Sequence, residues 1–199
     1  MPNSAGNLVS FHNISSVEAI KVIKTSAGNG WANMHAFTVK VQPFSSSFAA
    51  VDSLLVSMVL KGHARGKWKV DGVASEILLQ PGSLIILPPD KNVEIDIKDP
   101  VEFINIYVSR KLLSDIIIEF SSAGSGLLRL NHSLSVSDDF LGQTISSLKE
   151  ILYVGGRFSA IEVQYIARVI VARIVSRYSI NTTEELNMEV GLSVSVLQN

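Results

Sequence analysis

Cysteine is absent from the chain. No disulfide framework and no thiolate metal site can therefore form, and a chain without thiols suits a reducing compartment, so a cytoplasmic location is expected. Charge is also scarce: charged residues are 18% of the 199 and the formal net charge is −1. That balance lacks the concentrated basic face of a nucleic-acid-binding domain. A long hydrophobic run is missing as well. The best stretch, residues 169–175, is broken by Arg173, so no membrane span is expected. The opening Met1-Pro2-Asn3-Ser4-Ala5-Gly6 has neither the charged segment nor the apolar run of a secretory leader. There is no Gly-rich phosphate loop, no Gly-x-Ser-x-Gly elbow, no repeat and no low-complexity segment. No convergent catalytic set is legible, so the chain is not expected to be an enzyme.

What the chain does have is apolar content, 47% of its residues, enough to bury a sizeable core in a domain of ordinary size. Residues 54–89 are the most informative. Leu54-Leu55-Val56-Ser57-Met58-Val59-Leu60 is apolar on both sides, which predicts a strand covered on both faces. Asp71-Gly72 marks a tight hairpin turn, Pro81-Gly82 a second turn, and Ser83 to Leu87 a strand stopped by Pro88-Pro89. Upstream, Trp31, Asn33, His35, Phe37 and Val39 alternate on one strand face. Residues 17–24 fit either a strand or a helix. Residues 93–97 and 101–108 complete the strand set. Short apolar strands joined by tight turns predict a small antiparallel barrel that can enclose a ligand.

After residue 108 the period changes from two to about 3.6. Ser109 is positioned to cap a helix over 110–120, Asp138 or Ser137 a helix to about 153, and a stronger helix follows over 159–178. The predicted class is α+β: a barrel over residues 1–108, helices over 109–180, and a linker or tail over 181–199. The apolar stripe of the last helix is wide, so Ile161, Tyr165, Val169 and Arg173 either complete the core or meet a second copy as dimer contacts.

Strand parity supplies the candidate binding residues. Val56, Met58, Leu60, Gly62, Ala64, Gly66, Trp68 and Val70 share one parity, and the small residues among them would leave space walled by Met58 and Trp68. His35 and Phe37 offer an aromatic wall with a polar handle, although a lone histidine also fits a satisfied core position. Asn105 and Tyr107 alternate with Phe103, and a buried amide needs a partner, either a ligand or a neighbouring side chain. The expected lining is thus His35, Phe37, Met58, Trp68, Asn105 and Tyr107. The opposite parity holds Lys61, His63, Arg65, Lys67 and Lys69, which reads as a solvated face.

Together, Val59-Leu60-Lys61-Gly62, Asp71-Gly72 and Pro81 to Pro89 resemble a cupin barrel. More narrowly, with Val101 to Val108, Leu112-Leu113, Asp138-Asp139-Phe140-Leu141 and the helix ending Arg173 to Tyr178, they resemble the N-terminal sensor and dimerisation domain of AraC-type transcription regulators. The resemblance implies a jelly-roll barrel that receives a small-molecule effector and helices that form a homodimer. It also implies a following pair of helix-turn-helix motifs. Gly191-Leu192-Ser193 lies where that half would begin and the chain ends at Asn199, so direct nucleic-acid binding by this chain alone is not expected. Cupin metal ligands would fall near Phe48, Ala50, Leu55 and Asn92, none of which supplies a normal imidazole or carboxylate ligand set, so no metal or other cofactor is expected. The function expected from this resemblance is effector sensing without catalysis. The alternatives are a small cupin isomerase or lyase using His35 or Tyr107 as acid or base, and a dimerising module without a ligand.

Overall fold

Turn chemistry and strand parity place most of the elements. A computed structural model of the chain describes residues 9–125, 128–156 and 158–181. Its strands are β1 (Ile20–Thr25), β2 (Met34–Val41), β3 (Phe44–Phe48), β4 (Ser53–Lys61), β5 (Ala64–Val70), β6 (Val73–Leu79), β7 (Leu84–Leu87), β8 (Val93–Ile97), β9 (Val101–Ser109), β10 (Leu128–Leu130), β11 (Ser133–Val136) and β12 (Ser179–Asn181). The helices are α1 (Arg110–Phe120), α2 (Asp139–Val154) and α3 (Ser159–Tyr178). Asp71 and Gly72 take φ values of +47° and +89°, the left-handed pair that lets β5 fold back on β6 in a two-residue hairpin.

A six-stranded sheet runs in the order β1-β2-β9-β4-β7-β11, and a four-stranded sheet in the order β3-β8-β5-β6, with antiparallel pairing throughout. The two sheets face each other around one apolar core, and the helices cover the outer face of the larger sheet around a second. β4 is consequently buried on both sides from Ser53 to Val59. Its odd positions Leu55 and Val59 face the other sheet, while Leu54, Val56 and Met58 face the helices. β9 divides the same way, with Phe103 and Tyr107 inward and Ile104, Ile106 and Val108 against the helices.

Both predicted caps form. Ser109 Oγ accepts from the Leu112 N–H at 3.3 Å, and Asp138 Oδ1 accepts from the Leu141 N–H at 3.1 Å. α3 packs against α1 and α2 and buries Val163, Ala167, Ile170, Val171 and Ile174. The ambiguous 17–24 segment resolves as edge strand β1. β11 lies beyond the expected barrel boundary at residue 108, yet it pairs with β7 and adds a sixth strand. Ser179–Asn181, at the expected boundary between helices and linker, pairs with β10. The remainder of the expected linker and tail lies outside the described residues.

Two strand expectations need correction. Residues 56–70 do not form one strand: the chain turns at Gly62-His63 and moves from one sheet to the other, after a register shift between Val59 and Lys61. Parity is therefore reset. Trp68 faces the inter-sheet core, but Met58 faces the helices. Likewise β2 begins only at Met34, because Asn33 adopts a left-handed φ of +62°. Trp31 packs on the helix-side core, away from His35 and Phe37.

Candidate ligand cavity

Between the two sheets lies a cavity of about 70 Å³. Trp68, Asn105 and Tyr107 line it, as do Leu55 and Ser57 of β4, Phe48 of β3 and His12 of the segment preceding β1. Register explains the convergence: Ser57 lies opposite Asn105, and Leu55 opposite Tyr107, across the β4–β9 ladder. A cavity of about 150 Å³ is known to admit benzene, and pockets for drug-sized ligands begin near 300 Å³. The space as formed thus suits a molecule of few heavy atoms.

Trp68 lies close against Gly66 at the cavity wall. A Cβ on Gly66 would lie 2.8 Å from the Trp68 ring and 3.1 Å from the Asp96 carbonyl oxygen. The indole folds back along its own strand and fills the space the glycine leaves. Gly62 contributes no internal space at all, since it sits at the turn with φ +89° against the Pro100 carbonyl.

The polar groups of the cavity are few and mutually arranged. His12 Nδ1 and the Tyr107 hydroxyl are 2.8 Å apart and buried. Burial lowers the His12 pKa from its ordinary value, against a weaker opposing effect of the Ala49 carbonyl. Burial likewise raises Tyr107 far above its ordinary value. Both groups are therefore neutral near pH 7. His12 Nε2 is buried with no hydrogen bond of ordinary geometry, while the Ala49 carbonyl acts on the ring. Deeper along β9, Ser57 Oγ donates to Asn105 Oδ1 in a short hydrogen bond.

His35 and Phe37 sit beside the cavity rather than in it. Phe37 stacks on Tyr107 with centroids 5.8 Å apart, and His35 is covered by Phe11 at 4.4 Å. His35 Nδ1 lies 3.3 Å from Ser26 Oγ, so its polar contact is local. Phe37 and Phe11 pack against the Tyr107 ring, and His35 packs on those two in turn. His12 carries no sequence signal, because it lies in irregular chain and reaches Tyr107 across 95 residues. Ser57 could have been found, as a hydroxyl in the middle of an apolar strand and in register with Asn105.

The positions where a cupin metal would be ligated do not fit one. Phe48 and Leu55 are apolar cavity walls, and Asn92 Oδ1 accepts the Ala50 N–H at 3.1 Å. Among the described residues no three His, Cys, Asp or Glu side chains come together. The basic row on β5 meets acidic partners: Lys69 pairs with Glu94 at 2.8 Å, Arg65 with Asp99 at 3.8 Å, and Lys67 is in register with Asp96. No described helix is long and apolar enough to cross a membrane.

No family model and no curated protein matches the sequence. Solved structures do match the fold. The AraC-like transcriptional activator CuxR is 17% identical over 77% of this chain, with a TM-score of 0.53. This chain spans 55% of that protein's length. A Cupin_2 domain of an XRE family transcriptional regulator from Enterobacter cloacae is 19% identical, covering 46% of this chain and 97% of its own, with a TM-score of 0.37. Oxalate decarboxylase from B. subtilis is 13% identical, covering 45% of this chain and 25% of its own, with a TM-score of 0.37. The expectation that the chain is not an enzyme is corrected here: structures of this fold include an enzyme beside the regulators, which leaves enzyme activity possible and, at such identity, assigns none. The chain has an α+β cupin-like fold, an antiparallel two-sheet barrel followed by a helical segment.

Proposed function

We propose that the chain is an effector-sensing and dimerisation module of the AraC-like kind. It takes a small molecule into the inter-sheet cavity and transmits the change to the helices. The observation that carries this reading is the cavity: an apolar space with a few placed polar groups on the inner face of a sheet whose outer face packs on α1, α2 and α3. A ligand that is held better by one packing of that sheet biases the helices behind it. The cupin-like fold shared with an AraC-like activator supports the assignment.

The proposed partner at the helical end is a second copy. Ile161, Tyr165 and Val169 recur every four residues on α3 and are 54%, 70% and 41% exposed. Arg173, grouped with them from the sequence, is engaged within the chain: its Nε donates to Asp138 Oδ2 at 2.9 Å, and its guanidinium lies over Phe140. Those bonds orient Arg173 toward the start of α2 rather than outward.

The test is a small-molecule screen by thermal shift on the wild-type chain and on Leu55→Trp, which fills the cavity. Hits that stabilise the wild type and not the variant support the reading. A screen whose every hit also stabilises L55W would place binding elsewhere and refute it.

A further inference from the structure

We propose that Asn105, held in place by Ser57, sets the selectivity of the cavity, and that it reads a small uncharged molecule with an amide edge, foremost a lactam: an N–H beside a C=O on an apolar ring. This deepens the ligand-site reading and rests on it. Asn105 lies in the middle of β9, an interior strand of the larger sheet, and lines the space between the sheets. Around it Phe37, Ser57, Phe103 and Tyr107 are all 5% exposed or less, whereas Asn105 is only half-buried. With closed neighbours on its own sheet, that accessible surface belongs to the tip of the side chain, where the cavity lies. An amide in such a place costs free energy unless it is matched. Ser57 matches only part of it. Its hydroxyl donates to Asn105 Oδ1 from β4, where the two residues are in register. Strand side chains stand roughly perpendicular to their sheet, so this bond runs sideways and fixes the carboxamide plane. The far edge of the carboxamide then points between the sheets. It carries one N–H of Nδ2 and one lone pair of Oδ1, a donor beside an acceptor. Turning the amide over exchanges the two and leaves the pair intact.

The rest of the lining restricts what can meet that edge. Among the described residues it contains no Lys, Arg, Asp or Glu. A carboxylate or phosphate would enter an apolar chamber without a counter-charge. Other polar side chains are few. His12 and Tyr107 are bonded to each other, and the Trp68 indole N–H, from the smaller sheet, is a donor only. A sugar would leave several hydroxyls unmatched. Asn105 alone offers a free donor and a free acceptor side by side, the pattern with which an Asn amide reads a donor–acceptor edge through two hydrogen bonds. A lactam presents the complementary edge, its C=O to the Asn105 N–H and its N–H to Oδ1, on a body suited to the surrounding apolar side chains. The space of about 70 Å³ keeps that body to a small ring.

The experiment titrates the full chain at pH 7.5 with γ-butyrolactam, γ-butyrolactone, cyclopentanone and butyrate, reading the side-chain ¹⁵N and ¹H signals of Asn105 by NMR. The lactone has the shape of the lactam but sets an oxygen against Oδ1. The lactam is expected to shift the Asn105 signals and to bind about tenfold more tightly than the lactone, the ketone or butyrate. Asn105→Leu keeps the size of the side chain and removes the edge, and should bring lactam and ketone within about twofold of each other. If N105L does not fold, Ser57→Ala carries the comparison: the amide loses its sideways bond, and the preference for the lactam should fall about threefold. Equal binding of lactam and lactone by the wild type, or an unchanged preference in the folded variant, would overturn the amide assignment while leaving a ligand cavity. Binding of none of the four probes to the folded wild type would overturn the cavity reading and this assignment with it.

Discussion

At the residue scale, the telling side chains are those whose partners lie far away in sequence. His12 is held neutral by burial, and burial lowers His35 in the same sense. A depressed histidine pKa means the unfolded chain binds more protons once the pH falls below about 6.5. Stability is therefore full above that pH and declines as the pH falls toward the folded-state values. Urea unfolding at pH 7.5, 6.5 and 5.5 should show that decline, and H12F should show a shallower one. An equal slope in both proteins would count against a neutral buried His12. Gly66 makes a second case. Gly66→Ala drives a methyl into the Trp68 ring and the Asp96 carbonyl, and overpacking of this kind costs about 1–3 kcal/mol. A shifted Trp emission maximum with a lowered denaturation midpoint would register it. None of these contacts was legible in the sequence, because spacing along a strand does not say which way an indole folds.

At the scale of elements, capping and turn chemistry governed what could be read. Ser109 and Asp138 stand directly before apolar periodic runs, and both cap as expected. Asp138 does more than cap. Burial alone raises its carboxyl, but Arg173, the Leu141 N–H and Tyr178 outweigh that and hold it below the ordinary carboxylate range. It thereby ties the start of α2 to the end of α3. Asp138→Ala should cost about 2–3 kcal/mol by chemical denaturation, the cap plus a partner left unpaired. The neighbouring exposed Asp139→Ala should cost under about 1 kcal/mol, a dipole effect only. Similar costs for both would deny Asp138 its bridging role. The Gly62-His63 connection shows the limit of periodicity. A run of alternating residues gives no sign that the chain has passed from one sheet to another, so Met58 was placed on the wrong wall.

At the scale of the whole molecule, the larger sheet sits between two cores, one shared with the smaller sheet and one shared with the helices. A side chain displaced on the cavity face of β4, β7 or β9 would press on a strand whose alternate residues lie in the helix-side core. Close packing transmits such shifts instead of absorbing them. The exposed stripe on α3 is the proposed contact with a second copy. Sedimentation equilibrium should give a dimer mass for the wild type and a monomer mass for Tyr165→Glu combined with Val169→Glu. A monomer in both would remove the proposed second copy. Retained thermal stability in the double variant would place its effect at the surface.

Alternation, turn residues and helix caps are local, and they placed most of the central strands and the three helices from sequence. They also placed Trp68, Asn105 and Tyr107 on inward faces. What tertiary structure alone decided is which segments meet: an irregular stretch near the N-terminus delivers His12 to Tyr107, an indole fills a glycine's space, and a late strand joins β7. Those outcomes depend on distances between residues remote in sequence, and local pattern carries no term for such distances.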